Sequence, residues 1–206
     1  MAPCITIQVD GKQLEADENG VLLTVLVDNG FTVPALCYHP RLGGHSRCSL
    51  CIVEVNQGGQ WETRHACELH CRAGLQVRTD SPGILNKRAW AAWLLLQGGP
   101  FPDTALENML RQIARGKDLA PPGTNPPGLG TKAQPGCILC GRCIAVCQKT
   151  GRNHLTFLGR GKKLRVGFVG SRSHPEGCGA CKACRQFCPT GYIQTNGESA
   201  FSAKLY

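Results

Sequence analysis

Hydrophobic and polar residues alternate from the start of the chain. Ile5, Ile7 and Val9 are separated by Thr6 and Gln8, the period-two rhythm of a half-buried strand. Asp10-Gly11 follows as a hairpin signal, and Gln13–Ala16 is the expected return strand. Val21–Asn29 reads as a short helix stopped by Gly30. A glycine-rich loop then carries Cys37 to Cys51, after which Ile52–Val55 is a predicted strand, Asn56–Gln60 a turn and Trp61–Ala66 the partner strand. Leu75, Val77 and Thr79 alternate once more. Hairpin, helix, loop and further strands in that order predict a small β-grasp domain over residues 1–80.

Residues 81–134 have another rhythm. Ser81-Pro82 supplies an N-cap and a proline at the first helical position. The expected helix runs to Gln97, with Leu85, Ala89, Trp93 and Leu96 as its apolar face, and Gly98-Gly99-Pro100 ends it. A second helix, about Thr104–Arg115, places Leu106, Met109, Leu110 and Ile113 on one side. Asp118–Gly136 is rich in proline and glycine and nearly uncharged, which marks a linker. The remaining domain, residues 135–206, contains an internal repeat. The fold class is α+β.

That repeat is made of cysteines. Cys178, Cys181, Cys184 and Cys188 read C-x2-C-x2-C-x3-C-P, ending in Pro189, and Cys137, Cys140, Cys143 and Cys147 repeat the spacing without the proline. This is the bacterial ferredoxin run, in which the fourth cysteine of each run ligates the other run's cluster. The short spacers curl the backbone round three corners of a [4Fe-4S] cube, and a helix carries the fourth thiol to the neighbouring cube. One cluster is therefore expected on Cys137, Cys140, Cys143 and Cys188, and the other on Cys178, Cys181, Cys184 and Cys147. Gly141, Gly177 and Gly179 let the backbone pass close to sulfur. Pro189 ends the second helix by removing a donor.

A looser set, Cys37, Cys48, Cys51 and Cys67, fits a [2Fe-2S] cluster. Cys71 competes with Cys67 for the fourth place; Cys67 is favoured because it closes the Trp61–Ala66 strand opposite the strand after Cys51. Cys4 and Cys71 are then spare thiols. His39, His45, His65 and His70 are expected beside the first cluster or on the surface, not as ligands. Structural zinc would not need the doubled rhythm, a disulfide framework belongs to exported chains, and no C-x2-C pair sits in a βαβ context.

Composition supports ligation as a large part of folding. The 206 residues include 26 glycines and 13 prolines and only 6% aromatics, so the apolar core is modest. The net charge of +9 is uneven: residues 1–118 carry 11 Lys/Arg against 12 Asp/Glu, and residues 119–206 carry 12 against 2. The basic half partly compensates anionic clusters, each about −2 when held by four thiolates. Arg160, Lys162, Lys163 and Arg165 read as a solvated face or a partner-docking patch, and without aromatic interleaving no nucleic-acid site is expected. No secretory signal is visible at the start, and the longest apolar segments, Val21–Val27 and Ala89–Leu96, are too short to span a bilayer. Direct membrane insertion is not expected, and reduced thiols point to a cytoplasmic setting.

The segments PALCYHPRLGGHSRCSLCIVEV and HACELHCRAGLQVRTDSPGIL, with GCILCGRCIAVC and CGACKACRQFCPTG, resemble an iron–sulfur module shared by several oxidoreductases. These are the large iron–sulfur subunit of complex I, the diaphorase small subunit of NAD-reducing [NiFe] hydrogenase, the [FeFe] hydrogenase N-terminus and NAD-dependent formate dehydrogenase. The resemblance implies that Cys37, Cys48, Cys51 and Cys67 hold the [2Fe-2S] cluster, and that the C-terminal domain is a 2[4Fe-4S] ferredoxin-like domain. It also implies a hetero-oligomer in which the chain relays electrons between a flavoprotein NAD(H) dehydrogenase subunit and a hydrogenase or formate dehydrogenase catalytic subunit. The alternative is a diffusible ferredoxin-like carrier that meets its partners transiently. One departure stands out. The family's additional cluster, on one histidine and three cysteines, falls where this chain reads LLLQGGPFPDTALENML, without either residue type. The chain has 18 residues after Cys188, too few for a further catalytic domain, shows no flavin motif, and has only the weak Gly159-x-Gly161 as a nucleotide signal. No catalytic residue of its own is expected.

Overall fold

Asp10 and Gly11 both take left-handed φ, 48° and 80°, as a two-residue hairpin turn of the strand-matching hand demands. Strands β1 (Cys4–Val9) and β2 (Lys12–Asp17) therefore pair antiparallel with Ile7 opposite Leu14. The computed structural model describes residues 3–115, 134–170 and 178–193. They divide into two compact units, residues 1–91 and 92–206. The expected linker up to residue 133, Gly177, and the residues after 193 lie outside the described residues.

In the first unit, β3 (Ile52–Gln57) and β4 (Gln60–His65) form a second antiparallel hairpin. Its turn is shorter than the expected Asn56–Gln60. Gly58 and Gly59 take φ of 60° and 93°, so two residues make the reversal and Asn56 stays in the ladder, its Oδ1 accepting from Gly59 N at 2.8 Å. Strand β5 (Gln76–Arg78) lies between β1, to which it is parallel, and β3, to which it is antiparallel. The sheet order β2-β1-β5-β3-β4 around helix α1 (Leu22–Asp28) is the β-grasp arrangement. Leu22, Leu23 and Leu26 of α1 join Ile7, Val9, Val53, Val55 and Val77 in one buried cluster. The Asp10 carboxylate accepts from both the backbone N and the Oγ1 of Thr79, tying the first turn to the end of β5.

Helix α2 (Pro82–Leu96) starts where Ser81 Oγ accepts from Ile84 N at 3.2 Å. Its buried face differs from the expected one. Ile84, Arg88, Ala92 and Leu95 are buried together with Ala89 and Leu96, whereas Leu85 is 52% exposed. The apolar run Trp90–Leu96 fits several faces of a helix, and the pattern could not reveal that Arg88, rather than Leu85, points inward.

In the second unit, α3 (Thr104–Ile113) is capped by Asp103, whose Oδ1 accepts from Ala105 N and Leu106 N. Leu106 and Leu110 are buried, as expected. Helix α4 (Arg142–Lys149) carries the end of the first cysteine run. An unforeseen hairpin follows, β6 (Leu155–Leu158) with β7 (Arg165–Phe168), joined through a 3-10 turn over Gly161–Lys163. Gln134 fastens it: its Nε2 donates to Val166 O at 3.1 Å and its Oε1 accepts from Val166 N at 2.8 Å. Helix α5 (Cys178–Cys181) is a single turn, and Arg185–Phe187 form another 3-10 turn. Leu155, Val166, Phe168, Ile144, Ile193 and Cys143 make the core.

Candidate metal centres

The loop after α1 delivers Cys37, Cys48 and Cys51, and the segment after β4 delivers Cys67. Within the loop Ser46 and Ser49 adopt φ of 43° and 52°, curling the backbone so that three thiols face inward. Cys67 does not lie in β4 itself, which ends at His65. It follows a single further ladder bond, Ala66 N to Cys51 O at 3.0 Å. The Sγ atoms of Cys37 and Cys48 are 3.4 Å apart, and Cys67 Sγ lies 3.8 Å from Ser46 Oγ. Cys37 and Cys51 are 0% exposed, Cys48 and Cys67 3%, so water is excluded from all four.

Proximity splits their protonation. Cys37 is drawn far below the ordinary thiol value of 9.0 by the Cys48 thiol, then by Cys67. Cys51 is lowered by Cys67. The donors Cys48 and Cys67 are pushed up, each first by its hydrogen bond to Cys37. Mutual shifts of this kind are expected of a ligand set crowded together before metal replaces its protons. The donor set suits a [2Fe-2S] group, which takes two thiolates on each iron: Cys37 with Cys48 and Cys51 with Cys67 form two such pairs. Gly44 completes the cradle. A Cβ there would lie 2.5 Å from the Cys67 carbonyl oxygen and 2.9 Å from its Sγ.

Cys71 lies in the same apolar core cluster as Cys51 and Cys67. Its backbone pairs with Gly20 and Asn19, and its thiol is raised by burial alone. Cys4 is exposed. Among the histidines, His65 Nε2 lies 3.4 Å from Ser49 Oγ, His70 Nδ1 lies 2.7 Å from the Asn19 carbonyl, and His39 Nδ1 accepts from Arg41 N. His45 Nε2 is buried without a hydrogen bond.

The two ferredoxin-like runs show their repeat in the backbone. The residue after the second cysteine is left-handed in each, Gly141 at φ 82° and Lys182 at φ 48°, although only glycine adopts this freely. In the first run α4 carries Cys143 and Cys147 one turn apart. In the second, the fourth cysteine is not on an α-helix. Cys188 leaves the 3-10 turn in an extended conformation, φ −78° and ψ 110°, because the following Pro189 disfavours helical geometry before it.

One cavity of this unit is lined by Cys137, Cys140, Cys143 and Cys188, closed by Ile138, Val166 and Ile193. Burial pushes Cys140 up to about 12, with the charges of Cys137 and Cys188 adding to it. Burial likewise raises Cys143. Cys184 is pushed up to about 11, again by burial first, with Cys178, Cys147 and Cys181 as its thiol neighbours. Cys188 thus shares a cavity with the first three cysteines of the other run, and Cys147 is among the thiols that act on Cys184. Backbone N–H groups already point at sulfur: Leu139 N to Cys137 Sγ at 3.4 Å and His154 N to Cys147 Sγ at 3.2 Å. Thr190 Oγ1 lies 3.5 Å from Cys188 Sγ. Such contacts stabilise thiolate charge, so both sets fit a [4Fe-4S] group.

Sequence reasoning missed Gly44, Gln134 and the buried Arg88. None carries a motif; each acquires its role only from what it packs against.

Comparison with known families agrees with the donor sets. Residues 2–82 match the 2Fe-2S iron–sulfur cluster binding domain, and residues 136–192 match the 4Fe-4S dicluster domain. Two iron–sulfur domain models thus match separate parts of the chain. Its homologues include the gamma subunit of the NAD-reducing hydrogenase HoxS of Cupriavidus necator, 26% identical over 92% of this chain and 86% of that one. Another is the mitochondrial NADH dehydrogenase [ubiquinone] iron–sulfur protein 1 of Solanum tuberosum, 25% identical over 97% of this chain and 28% of that one. A third is the probable oxidoreductase YjgC of Bacillus subtilis, 26% identical over 96% of this chain. The chain spans only 21% of the length of YjgC. The fold matches a chain of the NAD+-reducing [NiFe]-hydrogenase in its H2-reduced state, with a TM-score of 0.63 and 22% identity, covering 81% of this chain and 76% of that one. Among the described residues, no helix is long and apolar enough to cross a membrane.

Proposed function

We propose that this chain is an electron-transfer subunit of an NAD(H)-linked oxidoreductase complex of the hydrogenase or formate dehydrogenase type. It would hold one [2Fe-2S] cluster on Cys37, Cys48, Cys51 and Cys67. One [4Fe-4S] cluster would sit on Cys137, Cys140, Cys143 and Cys188, and a second on Cys178, Cys181, Cys184 and Cys147. The observation that carries the reading is the cavity lined by Cys137, Cys140, Cys143 and Cys188, with the 3.4 Å approach of Cys37 and Cys48 in the first unit beside it. When bound, the clusters supply one-electron redox centres. The protein's own residues do the rest. They fix the thiols, exclude water around Cys37, Cys51, Cys140 and Cys143, and aim N–H groups at sulfur.

Residues 1–80, 81–134 and 135–206 would serve as [2Fe-2S] domain, connector and dicluster domain. The connector lacks the histidine and cysteines of a further cluster, and its Leu106, Leu110 and Ala114 are buried. It acts by packing, and the relay has three stations. One end would meet a flavoprotein NAD(H) dehydrogenase subunit and the other a hydrogenase or formate dehydrogenase catalytic subunit, as the likeness to the HoxS hydrogenase chain favours.

A second reading, a diffusible carrier, is favoured by the basic tip of the β6–β7 hairpin, where Arg160, Lys162 and Lys163 are exposed. Such a patch steers transient encounters at rates that fall with salt. Affinity purification from the native host separates the two. A stable component of a complex is expected to retain stoichiometric partners in about 0.5 M salt, where the Debye length is well below 10 Å. Elution of the chain alone at that salt would support the carrier.

A further inference from the structure

Arg88 is the only charged side chain in the buried set among the described residues, at 4% exposure. Its Nη2 donates to the Ile52 carbonyl at 2.6 Å, one residue beyond Cys51. Its Nε is buried with no hydrogen-bond partner. Among the described residues no carboxylate lies within ion-pairing distance of it: Asp10 is occupied by Thr79, and Asp80 is exposed. A guanidinium so placed is costly unless an anion lies close by. Burial disfavours its charge, and the first group to oppose that effect is Cys51, ahead of Asp10 and Asp80. The anionic site at hand is the ligand position at Cys51, whose chain neighbour Ile52 offers Arg88 its carbonyl.

We propose that Arg88 is a positioning residue of the [2Fe-2S] centre, a buried cation that balances the negative charge of the Cys51 site and raises its reduction potential. The inference rests on the [2Fe-2S] reading of Cys37, Cys48, Cys51 and Cys67. Reduction adds one negative charge to a site already about −2. In a water-excluded setting a fixed positive charge nearby favours that step far more than it would in solvent. The bond to Ile52 performs a second task, since it clamps α2 to the backbone at the ligand and keeps the charge in place.

The test is an anaerobic redox titration of the full chain, following the EPR signal of the reduced [2Fe-2S] centre in wild type, R88K and R88Q. Glutamine can still donate to Ile52 but carries no charge; lysine keeps the charge and loses the planar fork. R88Q is expected to shift the reduced-to-oxidised ratio at a fixed potential about tenfold towards oxidised, equivalent to about 59 mV for one electron. R88K is expected to stay near wild type, and the [4Fe-4S] signals of the same samples should not move. Assembly of the centre in R88K but not in R88Q also supports the charge requirement. R88Q titrating with wild type overturns the assignment, as does failure of R88K and R88Q alike to assemble the centre. A wild-type chain with no [2Fe-2S] signal overturns the cluster reading itself, and this inference with it.

Discussion

C67A is expected to abolish the [2Fe-2S] signal while both [4Fe-4S] signals persist, whereas C71A keeps all three. The two cysteines are four residues apart and both buried, so exposure does not distinguish them. Company does. Cys67 acts to lower the thiols of both Cys37 and Cys51, and Gly44 is bare so that the backbone can pass its carbonyl. Cys71, in the same apolar core, is shifted by burial alone, with no thiol acting on it. C67A should lower iron by about two atoms per chain and cost much of the stability of the first unit, since the remaining thiols are crowded without metal. C71A removes one buried sulfur atom and should cost about 1 kcal/mol, near the centre of the distribution for single substitutions. The measurement is EPR of dithionite-reduced protein together with iron analysis. Loss of the [2Fe-2S] signal in C71A and its survival in C67A would reverse the ligand assignment.

The second large effect is a pattern of non-additivity. C140A and C188A are expected to remove the same [4Fe-4S] centre, although the residues belong to different runs. C147A and C184A are expected to remove the other. Each single variant should lose about four iron atoms. The double variant C140A/C188A should lose no more than either single, because both act on one group. C140A/C147A, with both substitutions in the first run, should lose about eight. The physical basis is the cavity shared by Cys137, Cys140, Cys143 and Cys188 and the placing of Cys147 beside Cys184. If each run instead bound its own cluster, C140A/C147A would lose about four and C140A/C188A about eight.

Much of the fold is legible in the chain itself. The Asp10-Gly11 turn announces itself because its conformation demands such residues, and the alternation of Ile5, Ile7 and Val9 fixes which face of β1 is buried. The doubled cysteine run singles out eight candidate ligands, since the rhythm of a cluster loop is local, whereas the looser first set leaves Cys71 in competition with Cys67. What escaped is tertiary. The face of α2 turned because a leucine- and tryptophan-rich helix offers several apolar stripes, and only the sheet beneath decides among them. Arg88 carries no signal of its own in the sequence, and its buried acceptor, the Ile52 carbonyl, is supplied by the fold. The β6–β7 hairpin was invisible because Leu155–Leu158 and Arg165–Phe168 are too short and too mixed to alternate clearly; Gln134, far off in sequence, holds them. The shortened second hairpin shows the reverse case: two adjacent glycines, Gly58 and Gly59, were the signal.

If twelve thiolates hold iron and sulfide as three redox centres, iron and acid-labile sulfide assays on the anaerobically purified protein should each find about ten atoms per chain, two plus four plus four. The protein should be brown and bleach on reduction. Colourless protein without sulfide, or protein containing zinc in place of iron, would contradict this reading.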